Sequence, residues 1–236
     1  TQSRSSAASD VYKRQRDTDL AFANKAPIEG DMRSALAAHG FTEQLAGEFK
    51  PPAAHYTLGS DSKGFYAEFL TPLSGSGRKR DGTPDATMEK AGISAQKIRH
   101  LEILLVDPWV VTAGPQNGIP LEAPVDLQVA NPLCFMVQKL LIKKDRKPAK
   151  HAQDLLYIYD TISLFGHLLP LFKDCWNTSV HPALGDMGDT VAREWDASFA
   201  HVTDAIRQAA LIPADRKLSP EELQATCRYA FDRIFR

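Results

Sequence analysis

Two acids spaced by one residue, Asp17 and Asp19 in Arg16-Asp17-Thr18-Asp19-Leu20-Ala21-Phe22, and a third, Glu68 in Phe65-Tyr66-Ala67-Glu68-Phe69-Leu70, are of types and at a spacing that could do chemistry. In an extended strand alternate side chains share a face, so Asp17 and Asp19 point one way while Thr18 and Leu20 point the other. If the second run pairs with the first, Glu68 joins them. Three carboxylates on one face repel each other unless a cation sits among them. Oxygen-only ligation suits Mg²⁺, which keeps several waters and is held by one or two carboxylates plus substrate phosphates. Such a set would serve phosphoryl or nucleotidyl transfer, and a two-ion version would clamp the attacking and leaving oxygens with the ions about 3.5–4 Å apart. Alone, an Asp-x-Asp is more often a solvated strand edge or turn. Apolar residues around both acid positions favour the metal reading, because charge facing inward at a strand end costs stability unless it has a partner.

A second group of charges lies further on: Lys139, Lys143, Lys144, Arg146, Lys147 and Lys150. As a bare run it reads as a solvated turn, but Lys139 falls within an apolar helical stripe and could present its ammonium to a triphosphate. Asp154, four residues after Lys150, suits an ion pair worth about 0.3–0.5 kcal/mol in isolation. Arg78-Lys79-Arg80, in a Gly-rich stretch, reads either as a solvated loop tip or as a phosphate or RNA contact. None of the seven histidines falls at metal-ligand spacing, and they are assigned no chemistry. Tyr157, Tyr159, Phe165 and the three tryptophans read as core rather than base-stacking platforms.

The elements that must position these groups fall into two halves. With 43% hydrophobic and 24% charged residues, the 236-residue chain supports one sizeable core or two small ones. A formal net charge of -1 removes any global pull toward nucleic acid or membrane, so a nucleic-acid contact would have to be local. Cys134, Cys175 and Cys227 include no Cys-x-x-Cys, which argues against a disulfide framework or a zinc site and fits a reducing, cytoplasmic setting. No apolar run approaches a membrane span and the start lacks an apolar signal region, so no membrane partner is expected.

Residues 1–15, rich in Ser and Arg, carry no structural period, resemble translated adaptor sequence, and are expected to be a non-native leader. After the Asp-x-Asp strand, Asp31 reads as an N-cap and Gly40 as the stop of a short helix. Residues 41–49 and 55–58 read as strands broken at Pro51-Pro52, leading through a turn into the Glu68 strand as an antiparallel meander. Residues 74–85 read as a mobile surface loop, 98–111 as strand or helix-into-strand, and 121–129 as an edge strand tolerating Pro124. From Pro132 the apolar period becomes helical: one helix from there, a second from Ala149 toward Leu169-Pro170, a third over 189–211, and a fourth over 219–235 with a capping box at Ser219 and Glu222. The expectation is an α+β chain: a catalytic domain over 16–130, built on a small mixed or antiparallel sheet with flanking helices, then a helical region over 131–236.

Together, Arg16-Asp17-Thr18-Asp19-Leu20, Tyr66-Ala67-Glu68-Phe69 and Asn131-Pro132-Leu133, leading to Lys139-Leu140 with Arg146, Lys150 and Asp154, resemble the nucleotidyltransferase superfamily that includes DNA polymerase β. The similarity is closest to bacterial minimal nucleotidyltransferase-like proteins, and covers residues 16–165. The resemblance implies that Asp17, Asp19 and Glu68 hold Mg²⁺ or Mn²⁺, that Glu68 doubles as general base, and that Lys139 and Arg16 contact the nucleotide. It also implies a Gly-Gly or Gly-Ser turn ahead of the first strand, which residues 1–15 do not contain. The chain is therefore expected to be truncated just before Arg16 and to lack part of its nucleotide site.

The expected activity is transfer of a nucleoside monophosphate from an NTP to an acceptor hydroxyl, with tRNA, a protein and a small molecule all open as acceptor. The rival expectations are a catalytically decayed fold serving as a binding or toxin-antitoxin partner module, and a plain RNA-binding protein using its basic clusters.

Overall fold

A computed structural model of the chain describes residues 17–23, 27–45, 54–59 and 64–236. The leader, Arg16 and the Pro51-Pro52 break lie outside the described residues. The chain divides into two compact units, one ending at Glu102 and one spanning Ile103–Arg236. The stretch between Ile103 and the first long helix therefore goes with the helical unit, where Ile103 is part of the core.

The first unit is organised on β4 (Phe65–Pro72). It forms an antiparallel meander with β2 (Phe41–Leu45) and β3 (Ala54–Leu58), as the turn and apolar pattern predicts. It also pairs in parallel with β1 (Asp17–Ala21) and, at its far end, with β6 (Ile93–Ile98). A last strand, β5 (Thr87–Lys90), folds back on β6. The sheet is thus mixed, and the α+β class holds.

The β5–β6 hairpin is not legible in the sequence, and its turn explains why. Lys90 pairs with Ile93 across a two-residue loop, Ala91-Gly92, in which both residues have positive φ, 48° and 77°. That turn normally announces itself as Asn-Gly or Asp-Gly; with Ala in the first position the signal is muted.

Packing on one sheet face is modest. Ala54, Tyr56, Ala67, Phe69, Ile93 and Ala95 are buried, with Phe22, Met32, Leu36 and Phe41 packed against them. Met32 and Leu36 come from α1 (Met32–Ala38), whose N-cap is Asp31: its carboxylate accepts from the backbone N–H of Ser34 at 3.1 Å and from the Ser34 hydroxyl at 2.6 Å. These bonds, the hydroxyl's first, hold the Asp31 carboxyl below its usual range. The Tyr56 hydroxyl donates to Glu43 at 2.9 Å and accepts from the Ser94 N–H at 3.3 Å. Burial, reinforced by Glu43, pushes the phenol up to about 12, so it remains a donor.

The second unit begins with a two-stranded ribbon, β7 (Trp109–Ala113) against β8 (Val125–Val129); Pro124 precedes the strand rather than interrupting it. The helices follow: α2 (Pro132–Leu141), α3 (Pro148–Phe165), α4 (Leu169–Cys175), α5 (His181–Leu184), α6 (Met187–Phe199), α7 (Asp204–Leu211) and α8 (Pro220–Phe235). The single helix expected over 189–211 is two, because Thr203 adopts extended dihedrals and caps α7, its hydroxyl accepting from the N–H of Ile206. At the start of α8 Ser219 accepts from the N–H of Glu222 as expected, while the Glu222 carboxylate takes the Tyr159 hydroxyl at 3.0 Å.

The core of this unit is large, with Leu133, Met136, Ile158, Phe172, Trp195, Phe199 and Ile206 fully enclosed. The Trp195 indole donates to the Cys227 carbonyl at 3.1 Å. All three cysteines are free and buried, and burial raises each thiol.

The expectation that no apolar run reaches membrane length is corrected. Helical structure continues from Pro148 to Leu184, 37 residues whose most apolar window has a mean hydropathy of 1.4. Pro170 does not end it, since a proline is tolerated in the first turn of a new helix. By length and composition this run could cross a bilayer; in the fold, Leu155, Ile158, Ile162 and Phe172 from it make up the helical core.

Phe172→Ala deletes a ring with no exposed surface. It is expected to cost about 3–5 kcal/mol, read as a lower urea midpoint at unchanged m-value.

Candidate active site

The ladder between β1 and β4 sets Asp17 opposite Tyr66 and Asp19 opposite Glu68. Paired residues on neighbouring strands project from the same face about 4.8 Å apart, so Asp19 and Glu68 share one face. Ala67 and Phe69 occupy the other, over the core. Asp19 is exposed and the Glu68 side chain mostly enclosed. The side chain of Asp17 lies outside the described residues, as does Arg16. The structure thus brings Glu68 beside Asp19. Among the described residues no group of three or more His, Cys, Asp or Glu side chains gathers closely enough to hold a metal ion.

β3 extends this row. His55 lies beside Glu68, its Nε2 3.5 Å from the Glu68 Oε1, and its ring stacks on Tyr66 with centroids 5.2 Å apart at 29°. On β2, Gln44 pairs with His55. A row Asp19, Glu68, His55, Gln44 therefore crosses four strands on the face away from the core. Ligand spacing along the chain does not mark His55, because this neighbour is made by strand pairing.

In the helical unit the expected charges are present in a different pairing. Lys139 is enclosed, with its side chain 14% exposed and its Nζ 3.7 Å from the Asp154 Oδ1. The ammonium lies over the rings of Phe135, at 4.8 Å, and Tyr157, at 5.8 Å. Arg146 donates through Nε to the Asp154 Oδ2 at 2.9 Å and through Nη2 to Oδ1 at 3.5 Å. The expected Lys150–Asp154 pair is corrected: Lys150 donates to Gln153 at 3.1 Å, and Gln153 to the Tyr157 hydroxyl. Asp154 faces inward, where Arg146 from the turn before α3 and Lys139 from α2 reach it, while Lys150 stays on the exposed side. The Phe135–Lys139 half of this cage could have been read from its i, i+4 spacing; the Arg146 contact could not.

Nearby, Lys143 donates to Glu194 at 2.8 Å and to the Ser198 hydroxyl at 3.2 Å. That first bond holds the Glu194 carboxyl below its usual range. Burial, then the neighbouring Lys143, lowers the His151 imidazole.

The family model described as Nucleotidyltransferase matches residues 10–181, a span that takes in Asp17, Asp19, Glu68, Lys139 and Asp154. The chain belongs to that nucleotidyltransferase family, and nucleotidyl transfer is the general chemistry the membership supports. No curated protein and no solved structure matches it.

Asp154→Ala strips Arg146 and Lys139 of a buried counter-charge and is expected to destabilise the protein by about 3 kcal/mol, read by urea denaturation.

Lys143→Met tests the neighbouring pair by pH. The folded-state pKa of Glu194 is depressed, so the pair's stabilisation is fully present above the unfolded value of 4.5 and is lost as pH falls through the folded value. Wild type and Lys143→Met should differ in urea midpoint at neutral pH and converge as pH falls through the depressed folded-state value.

Proposed function

We propose that this chain is a metal-dependent nucleotidyltransferase that uses its carboxylate row to transfer a nucleoside monophosphate from an NTP to an acceptor hydroxyl. The observation that carries the reading is the register that pairs Asp19 with Glu68 on parallel neighbouring strands, two positions along from Asp17, in a member of the nucleotidyltransferase family. The donor set fits the implied ion: carboxylate oxygens on one face, outside the core, suit a hard dication such as Mg²⁺ or Mn²⁺. Asp17, Asp19 and Glu68 would hold it; when bound, it would neutralise triphosphate charge and polarise the reacting phosphate.

The protein's own groups do the rest. Glu68 takes the proton of the attacking hydroxyl as its oxygen bonds to the α-phosphorus and pyrophosphate leaves, and His55, 3.5 Å from Glu68 and stacked on Tyr66, helps hold the Glu68 carboxylate in place. Within the helical unit Lys139 is oriented by Asp154 and two rings. Catalysis on this scheme is mostly positioning and charge neutralisation. A cytoplasmic location, where NTP and Mg²⁺ are abundant, completes the reading.

Thermal unfolding with NTP, with and without Mg²⁺, tests it, since a ligand bound only by the folded state raises the melting temperature. Wild type should show a shift that requires both. Asp19→Asn should keep the ligand-free melting temperature and lose the Mg²⁺-dependent part of the shift. A full shift in Asp19→Asn would overturn the metal role.

A further inference from the structure

The stretch after β4 is not the featureless loop its composition suggests. Arg78 and Pro84 form an isolated antiparallel bridge, and the chain between them is tied by its own bonds. The N–H of Lys79 donates to the Thr83 carbonyl at 2.9 Å, that of Gly82 to the Lys79 carbonyl at 3.0 Å, and that of Asp85 to the Gly77 carbonyl at 2.9 Å. The Arg78 guanidinium closes the turn on the Gly82 carbonyl at 2.8 Å. Arg99, from just beyond β6, reaches the Gly75 carbonyl at 3.3 Å. Gly77, at φ +74°, leaves room for that guanidinium: an added Cβ would come within 3.2 Å of its Nη2. The result is a small fixed hairpin on which Arg78, Lys79 and Arg80 are exposed and Arg99 stands alongside.

Its acids are engaged. Asp85 takes both of its contacts, at 2.8 Å, from the Lys97 ammonium, and Asp81 accepts from the N–H and hydroxyl of Thr83. In a chain of net charge -1 this is a locally concentrated positive surface.

The chain leaves β4 toward the hairpin at Leu73, five residues past Glu68, which at strand rise is about 17 Å away. A small acceptor does not span that gap. A nucleic-acid strand does: at 3.4 Å per stacked nucleotide the distance is about five nucleotides, and its phosphates at the hairpin are counter-charges for the exposed Arg78, Lys79 and Arg80. Its terminal base, at the carboxylates, would meet the stacked rings of His55 and Tyr66, which share their face.

We propose that the hairpin Arg78–Pro84 is the docking site for the phosphate backbone of a single-stranded nucleic acid, and that the end of that strand is the acceptor. This rests on the transferase reading for the word acceptor, but the binding surface stands or falls separately.

The test is fluorescence anisotropy of a labelled single-stranded 12-nucleotide RNA with the full chain, titrated at several salt concentrations. Lys79→Ala/Arg80→Ala spares the structural Arg78. It should weaken binding roughly tenfold and reduce the slope of log K against log salt by about 1.4, two phosphate contacts at about 0.7 each for a single strand. Arg207→Ala/Lys217→Ala, the same charge change in the helical unit, should leave binding as it is. Equal loss in both doubles, no RNA binding by wild type, or tighter binding to phosphatidylserine vesicles than to RNA would each overturn the proposal. If wild type binds the strand with the expected salt slope but shows no Mg²⁺-dependent NTP shift, the docking surface survives and the transferase reading falls.

Discussion

The placement of the chemistry depends on one strand having three partners. β4 must accept β3 antiparallel near its start, β6 parallel near its end, and β1 parallel along Tyr66–Leu70. Side chains alternate with a period of two, so a one-residue slip of β1 would send Asp19 to the core face and Thr18 and Leu20 out. The register is fixed by what lies on the other face: Phe69 and Ala67 are buried, and Phe22, at the end of β1, packs on the same cluster while its N–H donates to the Leu70 carbonyl at 3.1 Å. Apolar packing on one side of the sheet thus determines which acids meet on the other.

The helical unit solves a different problem, that of keeping a cation enclosed. A lysine buried alone would lose its charge rather than its hydration. Around Lys139 the cost is offset three ways: Asp154 supplies the counter-charge, Phe135 and Tyr157 present their ring faces, and Arg146 holds the carboxylate with two bonds. Arg146 and Lys139 are not equivalent in this. The planar guanidinium fixes the orientation of Asp154, and the compact ammonium is left as the more adaptable charge.

The sequence made the elements legible where local chemistry decides them. Asp31, Ser219 and the apolar stripe from Pro132 define helix starts through caps and period, and the alternation around Asp17 and Glu68 defines two strands. It was silent where pairing decides. Ala91 in a left-handed conformation hides a hairpin, and Thr203 splits what the apolar period reads as one helix. At the site, Glu68 could be placed near the paired acids because both runs look like strands; His55 could not, since nothing in its neighbours along the chain marks it. Lys150 was matched with Asp154 by spacing alone, and spacing does not know which face of α3 is buried.

The first unit also shows how little packing holds the carboxylate row. β1 is exposed at every described position along its length, Leu20 included at 43%, and it pairs with β4 and with no other described strand. The described contacts that hold it include the backbone ladder to β4 and Phe22 in the core. Structure of this kind sits at the low end of local stability. Binding free energy gained by a ligand that requires Asp17 and Asp19 in place would be spent in part on fixing β1 to β4, so occupancy of the site and order of the strand are linked. The helical unit, with its large core and enclosed ion network, has no such dependence. For a ligand held by those carboxylates, order at the first strand and affinity would be one equilibrium seen from two sides.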